Sequence, residues 1–283
     1  MLRPLIVRPL IALAFLAAGA AQPLHAAEDY DNCNQYIDAL PATLSTQGVW
    51  CLRDDLGTSI TSGIAITINT NNVTIDCNDF KIGGLAAGSA STTKGIHALD
   101  RRNITIRHCN LRGFHTGIEL QGGDGGGHLV EDNRLDNNLF TGIDVRGRGN
   151  LVRGNRILDT GGADGADFAF GIHADANMVG NTIDGLFTDA APANPRGVVV
   201  RGEGNEVRGN LVRGLVAGST GSAVGIMVFG VQHATVGGNR VIAPAPVNGT
   251  GIIGYGGFCS DNLVANFATP WDACQLVSGN HSH

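Results

Sequence analysis

Four ionisable side chains recur at one place in a short motif: Gly95-Ile96-His97, Gly117-Ile118-Glu119, Gly142-Ile143-Asp144 and Gly171-Ile172-His173. Two residues beyond them stand Leu99, Gln121, Arg146 and Asp175, and three later copies of the motif put Arg201, Phe229 and Tyr255 at that second place. Carboxylates and imidazoles brought side by side shift one another's pKa and can divide acid and base work near neutral pH. Chemistry on a uronic-acid polymer needs a cation facing the sugar carboxylate, a base for the proton beside it, and an acid for the leaving oxygen or the ring. Arg146 and Arg201 suit the first role, His173 the second, and Asp144 or His97 the third. Glu119 and Asp175 are candidates to orient the histidines or to hold Ca2+, which prefers oxygen ligands. Gln121, Arg201, Asp175, Phe229 and Tyr255 form the expected substrate-binding surround. Glu119 and Asp144 on neighbouring strands would also suit the roughly 5 Å spacing of a retaining glycosidase pair.

All of this requires one exposed face, and the chain's repeats supply it. A Gly followed by Ile or Val recurs at Gly95, Gly117, Gly142, Gly171, Gly197, Gly225 and Gly251. Asparagines keep pace with it at Asn78, Asn110, Asn133, Asn155, Asn181, Asn210, Asn239 and Asn262. The segment GIDVRGRGNLVRGN from Gly142 to Asn155 returns as GVVVRGEGNEVRGN from Gly197 to Asn210. Two markers in step indicate a solenoid in which each repeat completes its neighbour's core. The alternating stretches, such as GIHAL, GIELQ and GIDVR, have the period of strands, with neither leucine spacing nor long helical faces. Ile96, Ile118, Ile143, Ile172, Val198, Ile226 and Ile252 then form one inward ladder, and the next residue of each copy faces outward. That outward column reads His97, Glu119, Asp144, His173, Val199, Met227, Ile253, so a polar half gives way to an apolar one. The glycines are expected at tight corners, and the asparagines at a corner where they satisfy backbone groups of adjacent coils.

The G-I-x-x start and the V-x-x-N-x-I corner, as in Val152-Arg153-Gly154-Asn155-Arg156-Ile157, resemble the right-handed parallel β-helix superfamily, the pectate-lyase-like fold. The resemblance covers roughly Ile60 to Asn262 and implies an all-β solenoid whose members include polysaccharide-active enzymes. It identifies no single enzyme family: the Arg-x-Lys segment of β-helix polygalacturonases and the Asp-Pro-His-Asp segment of mannuronan epimerases are absent from the sequence.

The expected organisation is a signal peptide at 1–27, an N-terminal cap at 28–59 with a short helix, the β-helix at 60–262, and a C-terminal cap and tail at 263–283. Arg3 and Arg8 precede the apolar run Leu10 to Ala18, followed by small residues, which is the order of a secretory signal and too short for a membrane span. This predicts a periplasmic or secreted protein. All six cysteines lie beyond that segment. Cys77 and Cys109 fall at equivalent positions of successive coils and are expected to bond. Cys33 with Cys51 and Cys259 with Cys274 would pin the two ends. A formal charge of -6 with only two lysines argues against nucleic acid as a partner, leaving a polysaccharide or oligosaccharide as the expected one. Two alternatives stay open: a noncatalytic carbohydrate-binding or cell-surface scaffold using Phe229 and Tyr255, and a metal-associated protein using His97 and His173. The run GGDGGGH from Gly122 to His128 lacks the Lys and Ser/Thr of a phosphate loop and reads as a coil corner, with Asp124 near the patch and His128 on the surface.

Overall fold

A computed structural model describes residues 32–283 except 124, 189, 219, 231, 232 and 277. The expected signal peptide lies outside the described residues. Among these the chain forms 27 short strands, joined in parallel pairs between successive coils. Three faces repeat along the axis. The first contains Ile64–Ile68, Lys94–Leu99, Thr116–Gln121, Asn194–Val200 and Ala223–Val228. The second contains Val73–Asp76, Ile104–Arg107, Leu129–Glu131 and Glu206–Arg208, and the third Lys81–Gly83, Asn110–Arg112, Arg134–Asp136 and Thr182–Phe187. The result is an all-β parallel solenoid, as the repeat predicts.

Each face sends a regular ladder of apolar side chains into the core. Ile66, Ile96, Ile118, Ile143, Ile172, Val198, Ile226 and Ile252 follow one another in register on the first face, all fully buried. Ile75, Ile106, Val130, Val152, Met178, Val207 and Val236 do so on the second. On the third face the ladder is Ile82, Leu111, Leu135, Ile157, Ile183, Val212 and Val241. Burying such side chains stabilises by about 1.5–3 kcal/mol each.

The repeat glycines are needed for a reason other than the corner geometry the sequence suggested. None of Gly95, Gly117, Gly142, Gly171, Gly197, Gly225 and Gly251 has positive φ. Their missing side chain instead points inward, against the next coil. A Cβ on Gly142 would lie 2.7 Å from the Gly171 carbonyl oxygen and 2.8 Å from the Ile157 side chain, and one on Gly117 would lie 2.8 Å from the Gly142 oxygen. Only glycine admits that approach.

The asparagines form a buried ladder. The Asn155 N–H and Nδ2 donate to Asn181 Oδ1 at 3.0 and 3.1 Å, while Asn155 Nδ2 also donates to the Val130 carbonyl at 2.9 Å. Asn181 repeats the pattern onto Asn210, and the series runs on through Asn239 and Asn262 to Asn280. Asn78 and Asn110 do not belong to it. Asn110 pairs with Arg134, and the Cys109 N–H is what donates to Asn133 Oδ1, at 3.0 Å. The Cys77–Cys109 disulfide therefore occupies the ladder position in the early coils. Cys33–Cys51 and Cys259–Cys274 are the other two bonds, in the pairing the sequence suggested.

At the N-terminal end strands stand where a short helix was expected. Gln35–Tyr36 pairs with Gly48–Cys51, and Ala42–Leu44 pairs with Ile64–Ile68. The helical element among the described residues is a single 3-10 turn at Leu85–Ala87, and none of these residues forms a helix long and apolar enough to cross a membrane. At the C-terminal end the coil pattern continues through Leu263–Asp272, Gln275–Leu276 and His281–Ser282.

Replacing Asn181 by Ala strands several buried donors and acceptors at once. The expected loss is about 2–4 kcal/mol, read as a lowered denaturant midpoint with the slope unchanged.

Candidate functional site

On the first face the outward column is continuous. His97 pairs with Glu119, Glu119 with Asp144, Asp144 with His173, and His173 with Val199, followed by Met227 and Ile253. The polar residues are sunk among their neighbours: the side chains of His97, Glu119, Asp144 and His173 are only 13, 10, 14 and 13% exposed. At such depth charges interact strongly and each needs a partner.

Two sub-clusters result. In the first, Lys94 Nζ lies 2.5 Å from Glu119 Oε2 and His97 Nδ1 lies 3.4 Å from the same oxygen. Burial works to raise the Glu119 pKa, but His97 and Lys94 together outweigh it and leave the carboxyl below its ordinary value. In the second, Arg146 grips Asp144 with two contacts, Nε to Oδ1 at 2.6 Å and Nη2 to Oδ2 at 3.2 Å. Gln121 Nε2 reaches Asp144 Oδ2 at 3.5 Å. Burial dominates here, so the Asp144 pKa is raised even with Arg146 beside it.

His173 sits between two guanidinium groups. Arg146 Nη2 is 2.9 Å from its Nδ1, and Arg201 Nε donates to its Nε2 at 2.6 Å. Burial, then the charges of Arg146 and Arg201, pulls the imidazole down to about 3. The ring is therefore neutral at physiological pH, with its acceptor nitrogen occupied. Phe170 stacks on it at 5.3 Å between centroids, and Arg201 covers Phe229 at 4.7 Å. Among the described residues Arg201 has no carboxylate within ion-pair distance.

The profile of the family described as "Right handed beta helix region" matches residues 58–212. The chain belongs to that family. A tailspike protein variant of the E. coli bacteriophage HK620, solved in complex with a pentasaccharide, is similar to this β-helix with a TM-score of 0.52 and 14% identity, covering 89% of this chain and 60% of the tailspike. A second HK620 tailspike variant with pentasaccharide gives 0.51 and 13%, covering 89 and 61%. An alginate lyase from Paenibacillus sp. str. FPU-7 gives 0.48 and 15%, covering 88 and 99%. The chain thus spans about three-fifths of the tailspike chains it matches. No curated protein matches it.

The β-helix gathers Glu119, Asp144, Arg146, His173, Arg201, Gln121 and Phe229 around the column, with His97 on the Glu119 side. Other expected members stand apart. Asp175 turns into the corner after the strand, where Asn205 Nδ2 donates to its Oδ1 at 2.9 Å, and it orients neither histidine. Tyr255 is exposed two coils beyond Arg201, outside the bonded cluster. Glu119 and Asp144 are register partners held by different cations, and the Glu119 charge adds to what raises the Asp144 pKa. No three His, Cys, Asp or Glu side chains among the described residues converge to hold a metal; Glu119 is engaged by Lys94, and Asp175 is in the corner, so neither is placed as a calcium ligand. Asp124 lies outside the described residues.

Sequence reasoning missed two features. Lys94 stands one residue before the repeat glycine and yet faces outward, because glycine and the following isoleucine both point inward. A row of rings, His115 on Phe140 at 5.0 Å, Phe140 against Phe170 at 5.5 Å and Phe168 on Phe170 at 5.9 Å, borders the column. Rings just before three consecutive repeat glycines, His115, Phe140 and Phe170, were the signal that could have found it. One expectation was reversed: His128 is buried, 2% exposed, because it fills a corner that Asn150 fills in the following coil. Its Nδ1 accepts the Ile104 N–H at 3.3 Å, while its own N–H donates to Asn150 Oδ1 at 2.9 Å. Burial lowers its pKa to about 4.

Both depressed histidines have a defined effect on stability. The unfolded chain binds their protons near the ordinary 6.5, whereas the folded chain refuses them until about 4 for His128 and about 3 for His173. Stability therefore falls as pH drops through that window. Proton NMR of the ring signals should show His173 still neutral at about pH 5. His128→Asn, which keeps a corner acceptor without a titrating ring, should shrink the loss of melting temperature between neutral pH and about pH 4.5.

Proposed function

We propose that the chain is an exported polysaccharide-active enzyme that abstracts the C5 proton of a uronic-acid-containing polymer, acting as a lyase or a C5-epimerase. The observation that carries this reading is the Asp144-Arg146-His173-Arg201 cluster. It holds two guanidinium groups and one compensating carboxylate on an outward face, with Arg201 spending its Nε–H on a neutral ring. A sugar carboxylate is a better partner for that guanidinium than an imidazole is.

The chemistry follows from that exchange. When the uronate carboxylate takes Arg201, His173 loses a donor from its acceptor nitrogen and the positive field around it is neutralised, so the imidazole regains basicity and can take the C5 proton. The same carboxylate, held by Arg201, carries the charge that builds on the sugar as that proton leaves. In elimination the C5 electron pair forms the C4–C5 double bond, the C4–oxygen bond breaks, and the leaving oxygen takes a proton from Asp144. The raised Asp144 pKa favours that donation. In epimerisation His173 keeps the abstracted proton and Asp144 delivers its own proton to C5 from the opposite face. The Lys94-Glu119-His97 group lies one coil away and contributes a fixed polar wall. The long parallel face agrees with a polymeric substrate, and a tailspike of similar fold is solved with a pentasaccharide. The signal-like N-terminus and three disulfides agree with export.

A second reading rests on Phe229 and Tyr255, which are 43 and 47% exposed. Rings this open can stack on sugars without chemistry, as in a noncatalytic carbohydrate-binding scaffold.

The mature protein should be incubated with polygalacturonate, alginate, hyaluronan and neutral glycans, with and without calcium. Ultraviolet absorbance reports unsaturated ends, and proton NMR reports C5 inversion. Asp144→Asn and Arg201→Gln should each lower kcat/KM by about 30- to 1,000-fold. Binding without turnover, surviving Asp144→Asn combined with His173→Gln, would support the scaffold and exclude the enzyme.

A further inference from the structure

We propose a second anionic subsite, built by the glycine corners beside the column, in which Arg148 binds the carboxylate of a sugar neighbouring the one at Arg201. The inference rests on the uronate reading of Arg201 and extends it from one sugar to at least two.

The corner between the first and second faces is where Gly125, Gly126 and Gly127 stack on the Gly147-Arg148-Gly149 turn. Gly126 pairs with both Arg102 and Arg148 as isolated bridges, and the Gly127 N–H donates to the Arg148 carbonyl at 2.9 Å. A Cβ on Gly126 would lie 2.9 Å from the Arg148 nitrogen, so the stack requires glycine there. The same composition removes side chains from the surface: nothing lies within 4 Å of where a Cβ on Gly123 or Gly149 would project. The consequence is a cleft of about 490 Å3, its floor made partly by Gly122, Gly123 and Gly147 and its walls by Arg146, Arg148 and Arg201.

Three arginines thus line one space together with Gln121, Leu99 and three glycines, continuous with the proposed reaction site. Arg146 is committed to Asp144, whereas the exposed Arg148 has no ion pair among the described residues. Among the described residues the carboxylate in the lining is that of Asp175, which is bonded to Asn205. A further cleft of about 620 Å3 continues past Arg148 but contains Glu203, which repels an anion. The cationic path therefore ends at Arg148, and a neutral glycan gains nothing from it. This gives Gly122 and Gly123 a role that a phosphate loop or a plain corner does not: they clear room for the second sugar.

Isothermal titration calorimetry with galacturonate and with trigalacturonate tests the subsite. Wild-type protein should bind the trimer at least about 10-fold more tightly than the monomer. Arg148→Gln should remove most of that advantage and leave monomer affinity unchanged, Arg148→Lys should keep part of it, and Arg201→Gln should weaken both ligands. If Arg148→Gln binds trimer as wild type does while Arg201→Gln does not, the subsite is wrong and the reading of Arg201 stands. If wild type binds neither uronate, both fall. A trimer advantage that is equal for a neutral trisaccharide would also overturn the subsite, since charge would then not be its basis.

Discussion

Close backbone approach between coils is the constraint on which everything else depends. Parallel strands lie about 4.8 Å apart, and at the start of the first face the chain also bends so that two successive residues point inward. The glycine of each repeat meets the carbonyl oxygen of the next repeat's glycine there, with no room for a Cβ. That stack sets the register of the whole first face. A slip by one residue would turn His97, Glu119, Asp144 and His173 into the core, where four ionisable groups without water could not be accommodated. The buried asparagine ladder secures the same register from the opposite corner, since each amide must meet the next one's oxygen.

On this scaffold the site arises by divergence of a repeat. In the Gly142 to Asn155 segment, Asp144 is followed two residues later by Arg146, and the two pair. In the Gly197 to Asn210 segment the corresponding residues are Val199 and Arg201, so the arginine loses its own carboxylate. Arg201 then faces back toward the preceding coil and meets His173, with Phe229 of the following coil against it. A single change from acid to valine between two copies thus leaves a guanidinium available to an outside anion. It also adds a second cation beside His173, whose pKa is lowered first by burial and then by Arg146 and Arg201.

The corners serve the site as much as the strands do. His128, Asn150 and Asn205 occupy one corner in successive insertions and satisfy backbone groups there. They leave the glycine turns free of side chains, which is why clefts open beside the column and why Asp175 is drawn away from it toward Asn205. The aromatic row on the other border fixes the plane of His173 through Phe170.

Much of this was legible in the sequence because the information is periodic. Gly-Ile spacing and strand alternation determine the solenoid, the inward ladder, the outward column and its break at Val199, and equivalent positions in successive coils suggest the Cys77–Cys109 bond. Periodicity cannot say which partner a charged side chain takes once it is on the face. That Lys94 claims Glu119, that Arg201 turns to His173, that Asp175 leaves the site and that His128 is buried depend on lateral contacts between residues 20 to 30 positions apart, with nothing in their local sequence to mark them. The fold is written in the repeat, whereas the chemistry is decided by departures from the repeat, and only the packed coils show which neighbours those departures meet.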